Sequence, residues 1–418
     1  MRHVLVYLFG TFFWIAIGWS QNMIDARYLG MAGSNAAIAE GAEIANGNPA
    51  LLALPRDFAF ELHLLSLHLA ASNNSFSLHD YNQYFTTGDS LTSGDIDYLL
   101  GRIPEDGYQA YSLGEAKAFS FYARPFLLSI TGMGTGRVTI PKNYFELPFR
   151  GNADGKDYYF DSIEGLGWAA ASVNFSIGFP MTKYFGELFD FASVGISGKY
   201  ITGLEYAEVL ESSGKVVTED NYISMEESIR LMTSEGGGGF SFDIGAFATY
   251  RKKWSFSLHV VNFAGGINWN KNNTIYDYTY TIDTLQINQA DSLESVEIDT
   301  SYAVGGFHTG LPRVLNLAAA YQYRPNLIFT VNWIQGLNSE MNNTTRPYLS
   351  VGTEYHPIPL LPLRAGLGLG GYYGMVLGLG MGLDLKYFQL NVSYQNHNFR
   401  WFSHAKSMDL AVSAQFRF

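Results

Sequence analysis

The last twelve residues of the chain, 407–418, constrain its fold more than any other segment, because side-chain polarity alternates there without a break. Apolar side chains occupy every second position from Met408 to Phe418, and mostly polar side chains fill the positions between them, from Ser407 to Arg417. A period of two places these sets on opposite faces of a β-strand. One apolar face and one polar face are typical of a strand in the wall of a transmembrane barrel.

The same alternation recurs upstream in segments of about ten residues, the length that a tilted strand needs to span a bilayer. Candidate strands lie near residues 57–68, 70–78, 116–123, 126–139, 166–179, 190–206, 240–250, 254–263, 313–323, 326–334, 347–356, 363–371, 374–384, 386–395 and 407–418, with a weaker one at 300–309. Because bacterial single-chain barrels have even strand numbers, we expect an all-β, antiparallel up-and-down transmembrane β-barrel of about 14 strands (14–16). The alternative is a soluble all-β protein, such as a propeller or stacked sandwiches.

Composition agrees with a single barrel domain. Charged residues make up only 15% of the 418 residues, and no run of 18 apolar residues follows the first 20; a helical membrane span is therefore not supported. The chain has no cysteine, which excludes disulfides and thiol chemistry. Its net charge of −12 and the absence of a basic stripe make nucleic acid an unexpected partner.

The first 20 residues have the pattern of a cleavable signal peptide. Arg2 and His3 precede an apolar stretch, and the small residues Gly18 and Ser20 stand at the −3 and −1 positions of a cut before Gln21. The alternative is a single N-terminal membrane anchor. Export and the barrel pattern together predict the cell outer membrane, with outer-membrane lipid and the barrel assembly machinery as partners and Phe418 as the assembly signal.

Long connections are expected near residues 80–114, 140–164, 207–239 and 264–312. Turn and cap signals predict short helices within 80–102, and Ser224–Thr233 is also predicted to be a short helix. Glycines recur at every second position of 366–370 and 378–382, which leaves room for a bulky element on one face, such as a plug inside the barrel.

The segment after the signal contains Ala-Arg-Tyr-Leu-Gly-Met-Ala-Gly (26–33) and, after a small-residue stretch, Asn-Pro-Ala-Leu (48–51). This pattern resembles the opening of the FadL-like outer-membrane superfamily, which includes fatty-acid transporters and the PorV-like barrels of Bacteroidetes secretion. Ala32 departs from the glycine of that pattern. The resemblance implies an N-terminal plug, residues 21–55, before a barrel at 56–418; the alternative is a surface leader. The plug or ligand candidates it implies are Arg27, Gly30, Met31, Gly33, Asn48 and Pro49.

No catalytic signature is present, so we do not expect an enzyme, and we expect no cofactor and no metal. His63 and His68 have odd spacing, which places them on opposite faces of a strand and makes them a poor metal site. Asp243, Asp409 and Arg417 fall on the polar faces of predicted strands and should point into the lumen. There they either brace a plug or line a path for solutes.

Two functions follow from the resemblance and the strands. The first is transport of small hydrophobic or amphipathic solutes across the outer membrane, with release past the plug or sideways through a gap in the wall. The second is a non-transporting, PorV-like barrel that binds secreted or surface-attached proteins, which the long connections at 207–239 and 264–312 favour.

Overall fold

The computed structural model describes residues 25–88, 90–151, 157–219, 222–286, 296–372, 374–397 and 402–418. The strands are β1 (Phe60–Asn73), β2 (Tyr108–Ala123), β3 (Phe126–Ile140), β4 (Tyr158–Tyr159), β5 (Glu164–Pro180), β6 (Phe191–Glu219), β7 (Tyr222–Ser234), β8 (Gly237–Tyr250), β9 (Trp254–Trp269), β10 (Thr274–Gln286), β11 (Val296–Ala303), β12 (Phe307–Gly310), β13 (Val314–Arg324), β14 (Leu327–Gly336), β15 (Tyr348–Ile358), β16 (Leu361–Gly370), β17 (Gly374–Asp384), β18 (Phe388–His397) and β19 (Ser407–Arg417).

Helices are short. The α-helices are α1 (Ala26–Gly30), α2 (Leu78–Tyr84), α3 (Ser93–Arg102), α4 (Asn143–Arg150) and α5 (Thr182–Phe185), and 3-10 turns lie at Asn35–Ala37, Gly41–Ile44, Pro49–Ala53, Glu340–Asn342 and Phe402–His404. Among the described residues, no helix has both the length and the apolar character that crossing a membrane requires. The predicted signal peptide, 1–20, lies outside the described residues.

Fourteen of the strands form a closed antiparallel barrel. The first strand, β1, pairs with both β2 and β19, which closes the sheet on itself. The barrel order is β1, β2, β3, β5, β6, β8, β9 and then β13 to β19. The predicted barrel is confirmed at 14 strands, and the soluble alternatives are wrong. The separate strands predicted at 57–68 and 70–78 are one strand, because β1 continues through Leu69 and Ala70 in register with β19.

The two ends of the barrel differ. At one, the short-turn end, most adjacent strands are joined by two or three residues, and the chain enters β1 and leaves β19 there. At the other, the long-loop end, the connections carry α2, α3 and α4. The helices predicted within 80–102 are confirmed as α2 and α3.

A second sheet rises beyond the long-loop end. The strand β6 is 29 residues long, roughly 95 Å at about 3.3 Å per residue. Its first part pairs with β8 and its later part with β7, which pairs with β10, which in turn pairs with β11. With the short β4, these strands form what we call the extension sheet.

The extension sheet corrects three expectations. The helix predicted at Ser224–Thr233 is wrong, because this segment is strand β7 and is paired on both sides. Its local helix propensity is overridden by the two ladders, and Met225 and Ile229 are buried on one face of the sheet. The stretches 207–239 and 264–312, expected as loops, are largely β-strands.

The predicted alternation of faces is confirmed along the last strands. In β19, Asp409 and Gln415 are buried inside the barrel, whereas Leu410 is 45% exposed on its outside. In β18, Asn391 is buried and Val392 is 49% exposed. Apolar side chains therefore cover the outer wall, and polar side chains face a filled interior.

Candidate functional site

The segment Asp25–Leu54 lies inside the barrel and is almost wholly buried. The carboxylate of Asp25 caps α1 by accepting a hydrogen bond from the Arg27 backbone N–H, at 2.8 Å. Three 3-10 turns follow. The turns and α1 contact strands on opposite sides of the lumen, so we call the segment 25–54 the plug.

One side of the plug lies against strands that lack side chains at the contact. A Cβ at Gly366 would lie 2.2 Å from the Met31 carbonyl carbon, and a Cβ at Gly378 would lie 2.5 Å from the Leu29 oxygen. Gly30 in turn lies so close to Gly380 that a Cβ would come 3.0 Å from its Cα. The glycines of β16 and β17 therefore make room for α1, which confirms the prediction from their spacing.

The opposite side of the plug is fixed by the Asn-Pro motif. The side-chain nitrogen of Asn48 donates to the Ala246 carbonyl at 2.9 Å and to the Ser257 hydroxyl at 2.8 Å, while its oxygen accepts from the Ala50 N–H. Pro49 starts a 3-10 turn, and a Cβ at Gly195 would lie 2.4 Å from its carbonyl carbon. These contacts join the plug to the wall formed by β6, β8 and β9.

Arg27 forms an ion network with the wall near the short-turn end. Its guanidinium donates two hydrogen bonds to Glu354 of β15, at 2.8 and 2.9 Å, and a third to Glu43 of the plug, at 3.1 Å. Arg364 of β16 donates to the same Glu354 at 2.6 Å. All four side chains are at least nine-tenths buried. Each buried charge here is compensated by a partner of opposite sign, and a member left without its partner is costly.

Arg417 completes a second network beside the first. Its guanidinium pairs with Glu61 of β1 and lies 3.1 Å from Glu40 of the plug. Glu40 also pairs with Arg56, at 3.1 Å. Across both networks, four arginines meet four glutamates, so the charges balance. The plug is thus held to the wall at the short-turn end by paired charges.

A cavity lies between the plug and the long-loop end, with about 650 Å³ of empty space when the part open to solvent is included. Its floor is the plug, and its walls come from β1, β2 and β15 to β19. The lining is mainly aromatic and apolar, with a few polar groups: Tyr28, Leu29, Ala32, Ala70, Tyr111, Leu113, Tyr348, Tyr372 and Val376, with His68, Glu115, Gln395 and Asp409. A concave apolar site with few polar groups is the usual form of a small-molecule site.

The polar groups of this cavity are paired. His68 Nδ1 lies 3.0 Å from a Glu115 oxygen. Asp409 accepts from Gln395 at 3.1 Å and lies 3.3 Å from His397 Nε2. Asp409 therefore lines the cavity as a member of a polar cluster.

The expected placement of the two histidines is wrong. Both His63 and His68 are on the inner face of β1, because the register shifts by one residue between His63 and Leu65. A β-bulge of this kind reverses the alternation beyond it. His63 Nδ1 lies 3.1 Å from the Gln415 amide oxygen, away from the His68–Glu115 pair.

Asp243 marks an interruption of the wall. It pairs with Lys199 at 2.8 Å and accepts from the Asn262 N–H at 2.8 Å, where β9 bulges. On the other side of β9, pairing with β13 stops at Val261 and pairing with β12 begins at Gly266. We call residues 262–265 the wall break.

Side chains bridge the wall break in place of the ladder. The Asn262 amide nitrogen donates to the Pro312 carbonyl at 2.9 Å, and its oxygen accepts from Ser241 at 2.8 Å. A second, smaller cavity adjoins the break on the lumen side and is lined by Asn46 of the plug, Lys199 and Pro312, among others.

The predicted site residues therefore separate into distinct places. Arg27, Gly30, Met31, Asn48 and Pro49 anchor the plug, and Gly33 turns it with a φ of 80°. Asp409 lines the cavity, Asp243 lies at the wall break, and Arg417 pairs with the plug. Phe418 stacks on Phe60 at 5.1 Å at the short-turn end.

Glu354, Arg364 and the tyrosines of the cavity are functional residues that the sequence patterns do not indicate. Glu354 and Arg364 could have been found as charged residues on the inner faces of predicted strands. The cavity tyrosines have no comparable pattern, and Tyr111 lies in a segment that was predicted to be a long connection.

Solved structures that share this fold include two toluene transporters. The chain is similar to the Pseudomonas putida toluene transporter TodX, with 12% identity, a TM-score of 0.57, and coverage of 96% of this chain and 99% of TodX. It is also similar to the Ralstonia pickettii toluene transporter TbuX, with 11% identity, a TM-score of 0.56, and coverage of 95% and 99%. The resemblance to FadL-like barrels is thus confirmed for the fold; the PorV-like part stays a prediction.

None of the curated proteins matches the chain in sequence. The sequence model of a family of unknown function, DUF5723, matches residues 49–236 and 223–394. These matches cover most of the barrel and the whole extension sheet. The chain therefore belongs to the DUF5723 family.

Proposed function

We propose that this protein is an outer-membrane barrel that takes up small hydrophobic or amphipathic solutes. The observation that carries the proposal is the tyrosine-rich cavity between the plug and the long-loop end. A solute that partitions from water into this cavity loses apolar surface to aromatic rings, and the paired polar groups can orient an amphipathic end.

The outer wall supports a membrane location. Large apolar side chains are exposed around the barrel, and aromatic rings gather near the short-turn end, as expected at a membrane interface. These rings belong to Tyr250, Trp254, Tyr321, Tyr323 and Tyr387. With the predicted signal peptide, the short-turn end would face the periplasm and the long-loop end the exterior.

The exit route of a solute depends on whether the plug or the wall break is easier to open. Expelling the whole plug would break the Arg27–Glu354 and Arg417–Glu40 pairs, and leaving a buried charge without its partner costs about 3–5 kcal/mol. At the wall break, the ladder is already interrupted and only side chains such as Asn262 bridge it. We therefore propose that solutes leave sideways at the wall break while the plug stays in place.

Uptake by cells that produce the protein tests the proposal, with radiolabelled toluene and radiolabelled octanoate as probes. Ala70→Trp fills the cavity, whereas Ala71→Trp adds the same side chain on the outer face of the same strand. We expect Ala70→Trp to remove most of the uptake and Ala71→Trp to leave it unchanged. Equal uptake by both variants at equal barrel amounts would refute the cavity as the solute site.

A second candidate function is a barrel that binds proteins at its long-loop end. The extension sheet favours it, because solute passage does not require a sheet of this size. Purification with stable protein partners and without uptake of either probe would favour this function over transport.

A further inference from the structure

The strand β11 is an exposed edge of the extension sheet. It pairs with β10 over its full length, from Val296 opposite Thr281 to Ala303 opposite Thr274. Within the described part of the chain, no strand is in register with its other edge. All eight of its residues are exposed. An edge of this kind presents a row of backbone N–H and C=O groups to any extended chain.

Several of the usual protections of an edge strand are missing from β11. It contains no proline, lysine or glycine, and it is eight residues long. Proteins generally guard such an edge with lysine, proline or a bulge, because an unguarded edge attracts further strands. A regular edge whose only charged residues are Glu297 and Asp299 is therefore suited to bind a strand that complements these two acids.

The two faces of β11 have different chemistry. Glu297 and Asp299 lie on the face that also carries Tyr278 and Tyr280 of β10, their registered neighbours. Val296, Ile298 and Tyr302 lie on the other face, and they are 58%, 53% and 43% exposed. A strand added beside β11 would meet carboxylates on one face and apolar side chains on the other.

This pattern selects one kind of occupant. Opposite charges in cross-strand positions stabilise a sheet, and like charges directly opposite each other destabilise it. A second copy of β11 offers no basic side chain to Glu297 and Asp299, whichever antiparallel register it takes. A strand with basic side chains on one face and apolar side chains on the other complements β11 better than a second copy of β11 does.

We propose that the free edge of β11 is a docking site for an extended polypeptide segment of another protein, in which basic residues alternate with β-branched or aromatic ones. Binding adds a strand to the extension sheet, so main-chain hydrogen bonds give affinity and the alternating side chains give specificity. This proposal does not depend on solute uptake, because the extension sheet stands outside the barrel lumen.

Peptide binding to the full-length protein in lipid nanodiscs tests the proposal. The probe is an eight-residue peptide that alternates lysine and valine, and its control has glutamate in place of lysine. We expect the lysine peptide to bind, more weakly as salt rises, and the glutamate peptide not to bind. A version methylated on every second backbone nitrogen, so that it keeps its charge but loses donors along one edge, should lose binding.

Charge reversal of the edge provides the matched comparison. In the double variant Glu297→Lys with Asp299→Lys, we expect the lysine peptide to bind at least about tenfold more weakly and the glutamate peptide to gain binding. The control is Glu187→Lys with Glu205→Lys, which changes net charge equally on exposed residues outside β11. Binding that the edge variant leaves unchanged, or that survives backbone methylation, would overturn the proposal.

Discussion

The buried pairing of Arg27 predicts how firmly the plug is held. In Arg27→Met, Glu354 keeps Arg364, but Glu43 loses the only cation that lies within 4.0 Å of it among the described residues. Glu43 is 3% exposed, and a buried charge left without its partner costs about 3–5 kcal/mol. If the cost is about 3 kcal/mol, the lower value of that range, the population in which the plug is released should rise by roughly a hundredfold, because about 1.4 kcal/mol corresponds to a factor of ten.

Hydrogen exchange in detergent or nanodiscs measures this population without unfolding the barrel. The backbone N–H groups of Ala32 and Ser34 are bonded within the plug, to Leu29 and Met31, and should exchange about a hundredfold faster in Arg27→Met. Amides of the barrel strands should be unaffected.

Two further variants test whether the unpaired Glu43 charge causes the faster exchange. Adding Glu43→Gln to Arg27→Met removes the stranded charge, so the exchange should slow again. Arg56→Met is the matched control, because its partner Glu40 keeps Arg417. Plug amides that exchange at the wild-type rate in Arg27→Met would show that the ion network does not hold the plug.

Three other predictions follow from single contacts. Asn48→Ala removes three hydrogen bonds to β8 and β9 and should lower the free energy of plug release by about 1–3 kcal/mol, measured by the same exchange. Deleting Phe418, which stacks on Phe60 and whose carbonyl accepts from the Phe60 N–H, should reduce the yield of heat-modifiable barrel in membranes, whereas Phe418→Tyr should not. Burial would raise the pKa of Asp80, but hydrogen bonds from Ser77 and Tyr98 and the Arg102 charge hold this pKa below its ordinary value. The ionised carboxylate therefore stabilises α2 and α3 above about pH 4, and this stabilisation is lost as the pH falls through the lowered pKa. Proteolysis of this loop should accelerate in acid for the wild type but not for Asp80→Asn.

The barrel was predictable because its signal is local. Alternation along 407–418 and the spacing of glycines such as Gly366 and Gly378 report directly on which face of a strand meets lipid and which meets the plug. The error at His63 and His68 has a local cause as well: a bulge adds one residue and reverses the faces beyond it, and nothing in the residue types near Leu64 indicates it.

The extension sheet and the cavity were not predictable in this way. Ser224–Thr233 becomes a strand because β6 and β10 lie on both sides of it, and such pairings are set by tertiary structure. The cavity joins Tyr28 of the plug to Tyr111, Tyr348 and Tyr372, residues far apart in sequence that share no motif. What the motifs did locate, Arg27 and Asn48, are anchors of the plug rather than contacts to a solute.

A tether between the plug and the wall separates the two exit routes. The hydroxyl oxygens of Ser34 in the plug and Thr330 in β14 lie 2.7 Å apart, and the chain has no cysteine of its own. Ser34→Cys with Thr330→Cys therefore introduces one thiol pair, at two side chains that already touch across the contact between plug and wall.

Uptake should survive oxidation of this pair if solutes leave at the wall break, because the plug need not move. Each single variant controls for the substitutions, and the reduced double variant controls for packing. Uptake that oxidation abolishes and a reductant restores would show that the plug must move, and the sideways route would then be wrong. The barrel and its cavity would remain candidates for transport in either case, since the tether acts on the exit alone.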